Sequence, residues 1–280
     1  MICINSSEIA SLVGYNKYIN NTKFTEIFTK NLYKQREDLK EYDETNNDIQ
    51  FITDEEKTQN IIKDLNNSDK EIINKILINK INDNKTLQEN IKNLDTLLSN
   101  STITQNQKNI IKNEINTKIN CNYGIATEDK AIKNYENKTN NKVFDNNTKC
   151  YIKKYNNFII CGKIDGLIEK DDKLYINEIK NRRNNIFSSV PIYEKIQLLS
   201  YTKLLDINNI IYTQSIDELQ HTEIFEEYKD EFLWDLIIIR LEEYSELIYK
   251  LRNDNILRKK YITNNSKLQY KYLKNNLSWL

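Results

Sequence analysis

The chain has 280 residues, 39% hydrophobic and 29% charged, with 18 Tyr and 8 Phe, which is enough apolar material for a core beneath a very polar surface. Lys plus Arg and Asp plus Glu both number 41, so any basic footprint for nucleic acid has to be local. The cysteines Cys3, Cys121, Cys150 and Cys161 form no C-x-x-C pair and His221 is the sole histidine, which disfavours an ordinary zinc site and leaves Ser-His-Asp or Cys-His catalysis without a nucleophile motif.

Free thiols in a reducing compartment are therefore expected. No apolar run approaches the roughly 20 residues that span a bilayer, and the N-terminus lacks a signal peptide's basic and apolar regions, so the expectation is an intracellular protein with no membrane partner. Heavy use of Asn, Ile, Lys and Tyr reads as the codon bias of an AT-rich genome rather than as function.

In chain order, residues 5–14 predict a short helix capped by Ser6 or Ser7 and stopped by Gly14, with a turn over 15–18. Residues 34–118 contain neither Pro nor Gly. Within them Ile72, Ile73, Ile76, Leu77 and Ile81, then Leu87, Ile91, Leu94 and Leu98, recur at helical spacing and predict consecutive amphipathic helices. Composition changes after Cys121, where Gly124 precedes a helical run with Glu128, Ala131, Ile132 and Tyr135. Residues 158–164 and 173–179 are β-branched and aromatic runs that predict a hairpin about the turn-prone stretch 169–172. Ser188 to Pro191 opens a helix running to about Leu205. A strand is expected over 209–214, a long helix over 225–251, and a Lys-rich helical end.

The apolar strand Leu174-Tyr175-Ile176 leads into Glu178-Ile179-Lys180, and period-two geometry puts Glu178 and Lys180 on one face. Asp165 lies in Gly162-Lys163-Ile164-Asp165-Gly166, across the expected hairpin. Hydrolysis of a phosphodiester calls for oxygen-ligated divalent cations, so converging carboxylates are the pattern to seek. Asp165 and Glu178 are candidate metal ligands with the Ile179 backbone carbonyl between them, and Lys180 is the candidate to hold or polarise water. The tripeptide alone is unspecific, because E-x-K also occurs at Glu128 to Lys130 and Glu136 to Lys138.

These motifs together resemble the PD-(D/E)XK nucleases, in particular the lambda-type exonuclease or YqaJ-like viral recombinase family. Residues 124–131 look like its first-helix motif, assigning Glu128 to the metal site directly or through water. Asp165 matches its Asp motif, with Ile164 where the superfamily name has Pro, and Glu178-Ile179-Lys180 matches the third motif. Gln197 and Tyr201 match Q-x-x-x-Y, their spacing placing both on one helical face. The resemblance implies catalytic Glu128, Asp165, Glu178, Lys180, Gln197 and Tyr201, with one or two Mg²⁺ or Mn²⁺ ions as cofactor. It also implies duplex DNA ends as substrate, a single-strand annealing protein as partner, a homo-oligomer, and, if viral, the cytoplasm or nucleus of a host cell. Ser7 and Lys17 in the opening segment, with Lys153, Lys154, Arg182 and Arg183 around the centre, are candidate DNA contacts. Glu8 departs from the basic residue often found in that segment.

The expected fold is α/β (α+β), a restriction-endonuclease-like core with a mixed central sheet flanked by helices in the order α-β-β-β-α-β. The boundaries expected are 1–33 for the N-terminal helix and loop, 34–120 for a helical insertion, 121–225 for the nuclease core and 226–280 for a C-terminal helical segment. Two other readings stay open: a structure-specific or nicking endonuclease with the same centre, and an inactive nuclease-like DNA-binding or scaffold subunit.

Overall fold

The computed structural model describes residues 1–47, 51, 54–78, 81 and 83–280. Strand β1 (Ile2–Asn5) leads through a 3-10 turn (Ser6–Glu8) into helices α1 (Ile9–Leu12) and α2 (Asn21–Tyr33). Helices α3 (Glu37–Asn47), α4 (Asp54–Asp64), α5 (Asn67–Ile78), α6 (Asn84–Asn100) and α7 (Gln105–Thr139) follow. Strands β2 (Val143–Phe144), β3 (Tyr151–Lys154), β4 (Phe158–Gly162), β5 (Gly166–Lys170) and β6 (Lys173–Asn181) precede α8 (Ile192–Leu205), β7 (Ile210–Ile216) and β8 (Leu219–Phe225). The chain closes with α9 (Glu231–Asn253), α10 (Asn255–Ile262) and α11 (Ser266–Asn276). The class is α+β with two mixed sheets, ordered β1-β4-β3 and β2-β5-β6-β7-β8 among the described residues.

The expected hairpin forms from different strands. Asp171 and Asp172 both take positive φ, 51° and 56°, which suits a two-residue turn whose twist matches the flanking strands. So short a loop forces its immediate neighbours to pair, and Lys170 sits opposite Lys173 and Gly166 opposite Asn177. The residues next to the turn are those of β5, not of β4. Strand β4 instead joins β1 in parallel and β3 antiparallel. Gly166 is required at the entry to β5, since a Cβ there would fall 2.2 Å from Val143 Cγ1.

The opening segment starts as a strand, because Ile2 and Ile4 alternate inward at period two and are buried. Neither Ser6 nor Ser7 caps the helix that follows. The Ser6 hydroxyl instead donates to the Cys161 carbonyl at 3.3 Å, while Gly14, at φ 79°, ends the helical stretch as expected. All four cysteines are free thiols, with Cys3 and Cys161 sulfurs 2.9 Å apart across β1 and β4.

Residues 34–118 form helices α3 to α6 and the first part of α7, joined by short connections, and the apolar stripes build a second core in which Ile73, Ile76, Leu87, Leu94 and Leu98 meet Ile111, Ile115 and Ile119 of α7. Helix α7 starts at a reciprocal cap in which the Gln107 amide hydrogen and the Thr104 hydroxyl pair, and the Gln107 side chain answers the Thr104 backbone. It then runs straight through Cys121 and Gly124, so the expected boundary at 120 falls inside one helix. Its far end lays Ala131 and Ile132 on Ile179, and Tyr135 on Ile168, Tyr175 and Ile211. Residues 225–230 are not helical: Phe225 ends β8 and the long helix begins at Glu231.

The C-terminal helices are fastened by two buried arginines. Arg258 forms an ion pair with Asp43, both side chains essentially inaccessible, and Tyr33 donates to the same carboxylate at 2.8 Å. Arg252 donates to the carbonyls of Leu32, Asn31 and Lys34 at 2.8 to 2.9 Å, taking up the frayed end of α2.

Mid-helix Gly124 has nothing within 4 Å of an added Cβ, whereas Gly166 has no room. Gly124→Ala should raise stability by about 0.5–1 kcal/mol, while Gly166→Ala should lower it, as read from urea midpoints. Asp43→Ala, which strands a buried guanidinium, should cost about 3–5 kcal/mol in the same measurement.

Candidate active site

Strand β6 is covered on both faces, and its alternation divides the labour. Tyr175 and Ile179 pack towards α7, while Ile176 packs with Leu198 and Tyr201 of α8. Glu178 and Lys180 share the α8 side, where α8 presents Gln197. Gln197 Oε1 accepts from Lys180 Nζ at 3.1 Å, and Gln197 Nε2 donates to Glu178 Oε1 at 3.2 Å and to Tyr201 Oη at 2.7 Å. Lys180 itself pairs with Glu178 Oε1. The i, i+4 relation of Gln197 and Tyr201 thus does what the spacing promised.

Asp165 lies in the break between β4 and β5. Its Oδ2 accepts the Ile179 N–H at 2.7 Å, tying the break to the middle of β6. Glu178 is 1% exposed, and its Oε2 is buried with no hydrogen-bond donor. On the other side, Glu128 of α7 is half-buried and accepts from the Asn147 amide. Among the described residues no three His, Cys, Asp or Glu side chains are arranged to hold a metal ion. Glu128, Asp165 and Glu178 are electrostatic neighbours rather than one ligand cluster, since Asp165 raises the affinity of each of the other two for a proton.

Burial, then the Asp165 charge, pushes the Glu178 carboxyl up to about 8, against the opposing pull of Lys180. Asp165 is raised by burial, opposed by Lys180 and by the Ile179 N–H. Burial pulls the Lys180 ammonium down, but Glu178 and Asp165 outweigh it and hold the group above its ordinary value. Glu128 is raised by burial and then by Asp165.

The candidate nucleic-acid contacts separate on inspection. Ser7, Lys17, Lys153 and Lys154 are exposed, Lys153 donating to the Lys203 carbonyl at 2.9 Å. Arg183 donates to Asn120 Oδ1 at 3.2 Å. Arg182 is committed to the fold: its guanidinium grips both Glu194 oxygens at 2.8 and 2.7 Å, donates to Gln214 Oε1 at 3.0 Å and to Tyr212, and lies on the Phe187 ring. Arg258, from the Lys-rich end, is likewise buried and paired. Sequence reasoning missed Glu194 and Ser6. Glu194 was signalled only by its place in the first turn of α8. Ser6 abuts Gly162, where a Cβ would sit 2.6 Å from Ser6 Oγ and 3.0 Å from Tyr201.

No protein-family model matches the chain, and no curated protein matches it. Among solved structures, one titled "Crystal structure of SSO0001" is similar at 16% identity and a TM-score of 0.37, over 58% of this chain and 85% of that one. No described helix is long and apolar enough to cross a membrane.

The Glu178 carboxyl, which ionises at about 8 when folded and at 4.5 as a free group, keeps its proton between those values in the native state. The unfolded chain then binds fewer protons between those values, so native stability falls as pH rises from about 4.5 to about 8. Urea titrations in metal chelator should show Glu178→Gln gaining on the parent protein as pH rises across that window, and a constant difference would contradict it.

Proposed function

We propose that this chain is a metal-dependent deoxyribonuclease of the PD-(D/E)XK type, hydrolysing phosphodiester bonds at double-stranded DNA ends with Mg²⁺ or Mn²⁺. The observation that carries the reading is Glu178 Oε2, withdrawn from water, without a donor, and next to Asp165 and Lys180. A buried polar atom left unsatisfied is costly, and a carboxylate oxygen in that position suits a cation.

The donor set fits a hard ion. Mg²⁺ is commonly held by one or two carboxylates, with waters and substrate phosphate completing its shell. Asp165 and Glu178 would hold it, with the Ile179 carbonyl at hand and Glu128 supplying an oxygen from α7. When bound, such an ion lowers the pKa of water and neutralises charge on the scissile phosphate.

The chain's own residues complete the chemistry. Lys180, fixed by Glu178 and Gln197, offers ammonium hydrogens to the attacking water and to the developing charge. Tyr201 fixes Gln197, so the helix face acts as a positioning bracket for the lysine. Asp165 holds its aim through the Ile179 N–H.

A second reading takes up the finding that, among the described residues, no three His, Cys, Asp or Glu side chains are grouped to hold an ion. That reading is an inactive nuclease-like subunit that binds DNA. Purified protein with linear and with covalently closed circular duplex, in Mg²⁺ and in chelator, separates the two. Expected is metal-dependent loss of linear DNA only. Lys180→Ala should slow it by about 10²-fold or more, and Asp165→Ala and Glu178→Ala should abolish it. Cutting of the closed circle would identify an endonuclease, and tight binding with no hydrolysis would favour the inactive subunit.

A further inference from the structure

We propose that Tyr18 and Tyr193 form a stacking subsite for one unpaired nucleobase beside the Glu178-Lys180 centre, with Lys17 placed for the adjoining phosphate. The choice of ligand rests on the nuclease reading, while the geometry stands without it.

Tyr193, Gln197 and Tyr201 occupy positions i, i+4 and i+8 of α8 and so share one helix face. Gln197 touches Lys180 and Glu178, and Tyr193 lies one turn away, about 6 Å along the axis. The ring of Tyr18, from the connection between α1 and α2, meets Tyr193 edge-to-face with centroids 5.8 Å apart and planes at 82°. Tyr18 is 66% exposed, so this contact buries little of it and contributes little to the core. Lys17 Nζ lies over the Tyr18 ring, 5.4 Å from its centroid, so a base stacking there meets the ammonium at the same ring.

The cation at the pair is Lys17. Glu194, next to Tyr193 in the chain, bears on that ring more than Arg182 does, but its carboxylate is occupied by the two-pronged grip of Arg182 and by Tyr212. An exposed aromatic face beside an ammonium suits a nucleotide, because every base has a face to stack and every link carries a negative charge. In a duplex those faces are already occupied by neighbouring bases, so the subsite selects a frayed or single strand.

The test measures binding in chelator, where hydrolysis does not intervene, with a labelled single-stranded oligonucleotide and a blunt duplex of the same sequence. Tyr18→Ala should weaken single-strand binding by about 5-fold or more and leave duplex binding nearly unchanged, with Tyr18→Phe close to the parent. An unchanged thermal midpoint confirms that the variant is folded. The proposal is overturned if the parent binds no single strand, if Tyr18→Ala affects neither ligand or both equally, or if Tyr18→Phe is as weak as Tyr18→Ala. Hydrolysis by Asp165→Ala, assayed separately, addresses the nuclease reading alone. Activity surviving that substitution, together with Tyr18-dependent strand binding, would discard the proposed Asp165 centre and keep the subsite.

Discussion

A carboxyl removed from water has to find its partners inside the fold, and the pairing of Glu178 with Lys180 is the constraint to which the rest of the centre answers. Burial holds the proton on that carboxyl up to about pH 8, while Lys180, still partly open to solvent, pulls the other way. The surroundings are accordingly arranged to hold the pair. Strand β6 alternates so that its charged residues face α8, which supplies an amide able to donate to the carboxylate and accept from the ammonium. Tyr201 fixes that amide in turn. The one Glu178 oxygen these partners leave unsatisfied belongs to a carboxyl on which the Asp165 charge also bears, so added positive charge there would relieve repulsion.

The scaffold around the centre is held by burial of a different kind. Helix α7 shares two cores, lining the helical layer with Ile111, Ile115 and Ile119 and the sheet with Ala131, Ile132 and Tyr135. It therefore couples residues 54–119 to the strand that bears Glu178. Arg252 donates to three backbone carbonyls, and Arg258 to two more and to Asp43, so positive charge that a sequence count would assign to the surface is spent on joining helices.

Much of the centre was legible because its residues are fixed by spacing. Glu178 and Lys180 follow the period of a strand, Gln197 and Tyr201 that of a helix, and the structure brings these four together. Asp165 was legible as a residue but not in its setting: two apolar runs and a turn do not say which run abuts the turn, and the positive φ of Asp171 and Asp172 decides it for β5. Gly124 misled because glycine is a plausible helix start, yet an open helix surface tolerates it mid-helix. The roles of Arg182 and Arg258 were hidden for another reason. Whether a guanidinium meets solvent or a buried carboxylate depends on partners 12 and 215 residues away, which no local pattern reports.

The parallel pairing of β1 with β4 has a consequence for the order in which the molecule assembles. Asn5 meets Cys161, 156 positions along the chain, so a nascent chain carries an unpaired apolar strand while every helix from α2 to α7 is being made. Closing so distant a contact is slow, and an open strand edge invites association with other chains in the interval. Helices α4 to α7 pack on one another and can condense early, but α2, which shares a core with Ile2 and Ile4, packs on α9 and α11, so the core around β1 closes only when the end of the chain has been made.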